Sequence, residues 1–219
     1  MNRLIPLAIA AVVLIGGAVF LMMPRGGDVG PQLTASAQVV ENADGLEIPD
    51  MVLGADDAPV TVIEYASYTC PHCRRFHEGP FKEIKSDYID TGKVKFIYRE
   101  VYFDRFGLWA SITARCGGGE RFFGITDLIY ERQSEWSQGD PATIAANLKT
   151  IGKTAGLTEE QLDQCFSDGA NAQALVQWWE ANAAADNINS TPSFIIDGRP
   201  YSNMSLADFR EVLDGKLDS

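Results

Sequence analysis

The chain has 219 residues, 46% hydrophobic and 22% charged, a balance that suits a folded domain and is too apolar for a disordered chain. Asp and Glu number 30 against 18 Lys and Arg, leaving a formal charge of −12. That charge argues against nucleic acid and anionic membrane surfaces as partners, since both call for a cationic face. Four cysteines are too few for a disulfide-scaffold miniprotein, and the length suggests one domain, or one domain carrying an insertion.

Leu4 to Met23 is an uncharged apolar run, LIPLAIAAVVLIGGAVFLMM. Written as a helix it reaches about 30 Å, the hydrocarbon thickness of a bilayer, whereas a cleavable signal has an apolar stretch of about 7–15 residues. Residues 1–23 are therefore expected to be an N-terminal signal-anchor helix in the inner membrane. A removed signal is the alternative, although Ala35-Ser36-Ala37 lies far from Met23 for a cleavage site. Arg3 and Arg25 flank the two ends and give only a weak vote on orientation. Residues 24–46, rich in Gly, Pro and small polar residues, read as a linker.

Val60 to Ser67, VTVIEYAS, reads as a buried strand. Cys70-Pro71-His72-Cys73 follows at once, and Pro at its second position suits the first turn of a helix. That helix is predicted to carry Phe76, Phe81, Ile84 and Tyr88, to kink near Gly79-Pro80 and to end at Thr91-Gly92. Lys93 to Glu100 alternates as a second strand. From Gly107 to about Asn187 only helical patterns appear. Leu108, Ile112 and Cys116 share one face, and Phe122, Phe123, Ile125 and Ile129 belong to the next helix. Asp140-Pro141 and the capping box Thr158 to Gln161 open two more, the latter stopped by Gly169. A fifth holds Leu175, Trp178 and Trp179, which with Trp109 read as core of the helical block. Ser193 to Asp197 is a strand, Asp197-Gly198 a hairpin turn, and Leu206 to Leu217 a closing amphipathic helix. This order implies an α/β mixed sheet interrupted by an all-helical insertion. The expected boundaries are residues 47–106 with 188–219 for the sheet domain and 107–187 for the insertion.

Cys70 and Cys73 are the chemical signal. Cys70 sits where strand passes into helix, and a helix N-terminus offers partial positive charge and unpaired N–H groups, both of which stabilise a thiolate. His72 is expected to add donors beside the same sulfur. The pKa of Cys70 should then fall from ~8.5 into a range of about 3.5–7.5. A pKa of ~4 would be worth roughly 4 kcal/mol at pH 7, or roughly 90 mV of potential, and would make the disulfide oxidising. Two other readings compete: a plain structural disulfide, and a metal site in which Cys70, Cys73 and His77 share a helix face. The metal reading lacks an obvious fourth ligand.

Glu64 to Cys73, EYASYTCPHC, resembles the active-site region of the DsbA family of thiol–disulfide oxidoreductases. Thr191-Pro192-Ser193-Phe194 looks like that family's cis-proline loop. The resemblance covers about residues 47–219 and implies a thioredoxin-like fold with an inserted all-helical domain. It implies a periplasmic enzyme that oxidises cysteine pairs in exported proteins without a cofactor. Its partners would be reduced, unfolded exported proteins and a DsbB-like, quinone-linked membrane reoxidase, with a monomer expected. By position, Cys70 would be the nucleophile, Cys73 the buried resolving cysteine, and His72 a thiolate tuner. Glu64 would be a buried acid assisting proton movement, Pro71 the helix-opening proline, and Pro192 a cis residue presenting Thr191 to a bound peptide. Thr191 departs from the Val of the family's best-known oxidases and matches isomerase-type relatives, which bears on oxidant strength and on engagement of the reoxidase. A reductase or isomerase is the alternative within the same chemistry.

Cys116 and Cys165 both fall in the helical block. A disulfide between them resembles the alphaproteobacterial branch of the family and would contribute roughly 4 kcal/mol by loop closure. Two free buried thiols, or a second redox pair, remain open on sequence alone.

Overall fold

The computed structural model describes residues 46–218, so the expected anchor (1–23) and nearly all of the linker (24–46) lie outside the described residues. Among the described residues no helix is long and apolar enough to cross a bilayer.

A five-stranded sheet has the order β1-β3-β2-β4-β5, with β1 (Met51–Leu53), β2 (Val60–Ala66), β3 (Val94–Glu100), β4 (Ser193–Ile196) and β5 (Arg199–Ser202). Only β2 and β3 pair in parallel; the other neighbours are antiparallel. The predicted strands at 60, 94 and 193 form the sheet's centre, where β2, β3 and β4 are buried on both faces. The two-residue period of a strand divides β2 between two cores. Val62 and Ala66 join Phe76, Phe81, Phe96, Phe194 and Phe209 on one face. Ile63 and Tyr65 join Ile97, Ile195 and the partly buried Trp179 on the other. β1 was not legible in sequence, because three residues are too few to display alternation.

After β2 come α1 (Pro71–Glu78), α2 (Pro80–Ile84) and a π-helical turn, Lys85–Ile89. The expected single kinked helix is thus three pieces. Gly79 leaves helical geometry (φ −125°, ψ −93°), and Pro80 has no N–H to continue the ladder. Between β3 and β4 lie α3 (Arg105–Cys116), α4 (Gly118–Glu131), α5 (Gln133–Trp136), α6 (Pro141–Thr154), α7 (Glu159–Ser167) and α8 (Gly169–Ala185). Asp140 caps α6 through Thr143 N–H, and the Thr158–Gln161 capping box is formed. Gly169 does not stop α7 as expected. α7 ends at Ser167, and Asp168 caps the new helix by accepting from Asn171 N–H. β4 and β5 turn at Asp197-Gly198, both at positive φ (44° and 76°), as a two-residue hairpin requires. α9 (Leu206–Leu217) closes the fold, burying Phe209 and Leu213.

Two buried charge clusters tie the helical block to the sheet. Arg115 of α3 makes two bonds of 2.7 Å to Glu100 at the end of β3, and Ser111 donates to the same carboxylate at 2.9 Å. Arg99 pairs with Asp50 at 2.9 Å and donates to Tyr65 Oη at 2.8 Å, while Tyr65 donates to Asp186 after α8. Cys116 and Cys165 are disulfide-bonded, with Cα atoms 5.9 Å apart, joining α3 to α7.

Replacing Arg115 by Met would strand the Glu100 carboxylate in the interior. Breaking such a pair is expected to cost about 3–5 kcal/mol. Urea unfolding of R115M checks this, and a loss within error of zero would show that Glu100 finds another partner.

Candidate active site

Cys70 is the residue before α1, in extended geometry (φ −83°, ψ 121°), and Pro71 opens the helix. Pro71 has no N–H to lose at this position, so it fixes the start of the helix without removing a donor. The main-chain N–H groups of His72 and Cys73 in the first turn help to lower the Cys70 thiol, although its side chain makes no capping hydrogen bond of ordinary geometry. Cys70 keeps 8% of its surface accessible, whereas Cys73, one turn inside, has none. Both thiols are free.

The two sulfurs are driven apart in acidity. The Cys70 thiol is lowered to about 5, first by the hydrogen bond from Cys73, then against burial by the Thr191 hydroxyl and by the N–H groups of Cys73 and His72. Cys73 moves far up, because burial disfavours its thiolate, Cys70 accepts its proton in a hydrogen bond, and the Glu64 charge opposes a second anion. At neutral pH the pair holds one negative charge, on the outer sulfur.

Thr191-Pro192 is a cis peptide bond immediately before β4. It brings the Thr191 carbonyl to 3.6 Å from Cys70 Sγ, which donates to it when protonated. The Thr191 hydroxyl is buried and makes no hydrogen bond of ordinary geometry among the described residues, although it lies close enough to help lower both thiols. Cys70, Cys73, Thr191 and Pro192 are thus brought together from two chain segments that β2 and β4 hold side by side.

His72 acts on Cys70 through its main chain. Its ring is exposed, and Nδ1 accepts a 2.8 Å bond from the Arg75 guanidinium. A guanidinium can only donate, so this Nδ1 carries a lone pair and gives no proton to sulfur. The donor that His72 supplies to Cys70 is its main-chain N–H. His77 does not form a metal site with Cys70 and Cys73. It is 2% exposed and bonds Glu64 across 2.9 Å in the interior. Among the described residues no three His, Cys, Asp or Glu side chains are grouped to hold a metal.

Gln133 has no counterpart in the sequence reading. From α5 its side-chain amide donates to the carbonyls of Tyr68 (2.7 Å) and Cys70 (3.1 Å), clamping the loop that carries the nucleophile. Nothing in its spacing announced this, because α5 is a single short turn. Tyr68 adds a second tie to the helical block through Thr126 at 2.8 Å.

A family model described as Thioredoxin matches residues 47–215. The chain belongs to that thioredoxin family. A Rickettsia bellii protein, provisionally named protein-disulfide oxidoreductase, is 35% identical over 170 residues, covering 77% of this chain and 65% of its own. The chain thus spans just under two thirds of the length of that relative. Disulfide bond formation protein D of Bacillus subtilis is 28% identical, over 74% of this chain and 72% of its own. Among solved structures, alpha-DsbA1 of Wolbachia pipientis superposes with a TM-score of 0.70 at 28% identity, covering 77% of this chain and 91% of that one. The thioredoxin-like fold with helices inserted before the cis-proline strand is therefore of the DsbA type.

The acidity of Cys70 has a stability consequence. Its folded pKa of about 5 lies below the ordinary thiol value of 9.0. Stabilisation of the reduced protein is therefore full above pH ~9 and is lost as pH falls through ~5; the oxidised protein has no such thiol. Melting reduced and oxidised protein at about pH 4.5 and 8 should show the reduced form gaining on the oxidised form at the higher pH. An offset independent of pH would contradict the depressed pKa.

Proposed function

We propose that this protein is a dithiol oxidase that introduces disulfides into exported proteins, with Cys70 and Cys73 as its catalytic pair. The observation that carries the reading is the split acidity of the two sulfurs. A substrate thiolate attacks Cys70 of the oxidised enzyme, and Cys73 leaves and is protonated. The substrate's second thiolate then attacks its own sulfur in the mixed disulfide and releases Cys70 as a stable anion. Two electrons pass to the enzyme pair, and the substrate leaves as a disulfide.

The direction follows from the leaving group. A thiol two units more acidic than pH 7 stabilises the reduced form by about 2.7 kcal/mol, which raises the potential by roughly 60 mV. This is less than the sequence-based figure for a pKa of ~4. The extended backbone at cis-Pro192 supports docking of a substrate segment in strand geometry beside Thr191. Glu64 serves proton movement at Cys73.

The compartment and partners belong to the same reading. Persistent disulfides such as Cys116–Cys165 suit an oxidising compartment, and the DsbA-type relatives point to the periplasm. A quinone-linked membrane protein of the DsbB kind would reoxidise Cys70, with this chain acting as a monomer. Residues 47–106 and 188–219 would form the thioredoxin-like domain and 107–187 the insertion, stapled by a structural rather than redox-active disulfide.

Oxidised protein mixed with a reduced two-cysteine peptide should oxidise it rapidly. C70S should abolish this, and C73S mixed instead with the disulfide form of the peptide should trap a Cys70-linked mixed disulfide. Peptide oxidation that survives in C70S would overturn the proposal. C116S/C165S should keep the activity while losing about 2–4 kcal/mol in urea unfolding; loss of activity in that folded variant would make the second pair part of the chemistry.

A further inference from the structure

Cys73 must gain a proton when it leaves as a thiolate and lose it when the pair is reoxidised, yet it is fully buried. Glu64 lies near enough for its charge to act on Cys73, but Glu64 is itself fully buried on β2. If Glu64 only lends its proton until reoxidation, the reduced protein holds a carboxylate buried away from water. A link to water would replace that proton and relieve the charge.

His77 is placed to provide that link. Four residues beyond Cys73 on α1, it lies one helical turn further along the same side. Its Nε2 shares a hydrogen bond with Glu64 Oε2 at 2.9 Å. Glu64 Oε1 and His77 Nδ1, the opposite ends of this unit, are both left without a partner among the described residues. An unpaired buried polar atom is costly, and such atoms concentrate where protons move. The ring also lines a cavity of about 370 Å³ between α1, α2 and α4, with Glu78, Lys82, Asp127, Tyr130 and Glu131. It stacks on Tyr130 with centroids 4.4 Å apart and meets Tyr98 edge-on at 5.6 Å, contacts that hold its plane fixed.

We propose that His77 is the proton relay of the dithiol site, carrying protons between Glu64 and the cavity. The inference rests on the exchange reaction proposed above. When Cys73 departs as a thiolate, Glu64 in its acid form gives up the proton on Oε1. Oε2 takes the Nε2 proton of His77, and Nδ1 takes one from the cavity. One proton enters, Cys73 becomes a thiol, and the ring is left as its other neutral tautomer. Reoxidation runs the sequence backward and returns the proton to solvent.

The groups facing His77 suit this role. Glu64 approaches from β2, Tyr98 from β3, Tyr130, Asp127 and Glu131 from α4, and Lys82 from α2, while Cys73 and Glu78 share its own helix. Burial raises the Asp127 carboxyl above its usual range, against the opposing pull of His77 and Lys82. An acid of that kind at the cavity wall can hand protons on nearer to neutrality. Tyr98 and Tyr130 are held far above the usual phenol range by burial, so they frame the ring without ionising.

The test is single-turnover oxidation of a reduced two-cysteine peptide by the oxidised full chain, read by rapid quench and thiol trapping. H77Q keeps a donor for Glu64 but cannot pass a proton through. It should slow Cys73 release on the order of 100-fold, while the Cys70 thiolate titration of the reduced variant stays where the parent has it. Imidazole added to H77A should restore rate in proportion to its concentration, which a purely structural histidine would not permit. If the variants do not fold, the unmodified protein in D₂O decides: proton transfer in the rate-setting step should slow it roughly twofold or more. A folded H77Q at parental rate, H77A without imidazole rescue, or no solvent isotope effect would each overturn the relay. In the first two cases a parent that still oxidises the peptide leaves the oxidase reading intact. A parent that fails to oxidise it removes both.

Discussion

The structure depends on the hydrogen bonds aimed at one sulfur, from the Cys73 thiol first and from the main-chain N–H groups of the helix end after it. The first turn of any helix leaves its amides without internal partners, and here the residue that would cap them is a cysteine rather than Ser, Thr or Asp. A thiol is a poor acceptor and a thiolate a good one, so the turn is better satisfied when Cys70 is ionised. Much of the remaining architecture holds that arrangement still. Pro71 starts the helix at the right residue, Gln133 clamps the loop from the helical block, and the cis peptide at Pro192 brings Thr191 against the sulfurs.

The second sulfur has the opposite surroundings only one turn away. Cys73 faces a packed aromatic core and the carboxyl of Glu64, where a second anion is unwelcome. Mixed β2–β3–β4 pairing explains how both environments arise at one point. Parallel β2 and β3 end together, β2 leading into α1 and β3 into α3, while antiparallel β4 enters beside β2 just after the cis-proline. The helical block then seals the site from above through Tyr68, Thr126 and Gln133.

Much of this was legible in the residues, for identifiable reasons. The central strands announced themselves by β-branched and aromatic runs long enough to show. The caps at Asp140 and Thr158 are local chemistry and formed as written. The Cys-Pro-His-Cys placement predicted the acidic sulfur because the Cys73 thiol and the first-turn N–H groups that act on it lie within three residues of Cys70. What sequence could not show depends on distant partners. Which side of His72 carries the lone pair is decided by Arg75, whose rotamer is a matter of packing. His77 reads as a ligand candidate in one dimension and becomes the partner of Glu64 only once β2 lies beneath α1. Gln133 sits on a four-residue helix with no pattern to detect. Gly169 looked like a stop, but Asp168 beside it proved the stronger signal, as the cap of the next helix.

Ultraviolet titration of the reduced chain, with C70S as the blank, measures the central claim most directly. The account requires the outer sulfur to lose its proton with a midpoint near 5, two units below neutrality, and the inner one to show no transition up to alkaline pH. A midpoint at the ordinary thiol value would mean that the Cys73 thiol and the helix end do not stabilise the anion, and the oxidising direction would lose its cause.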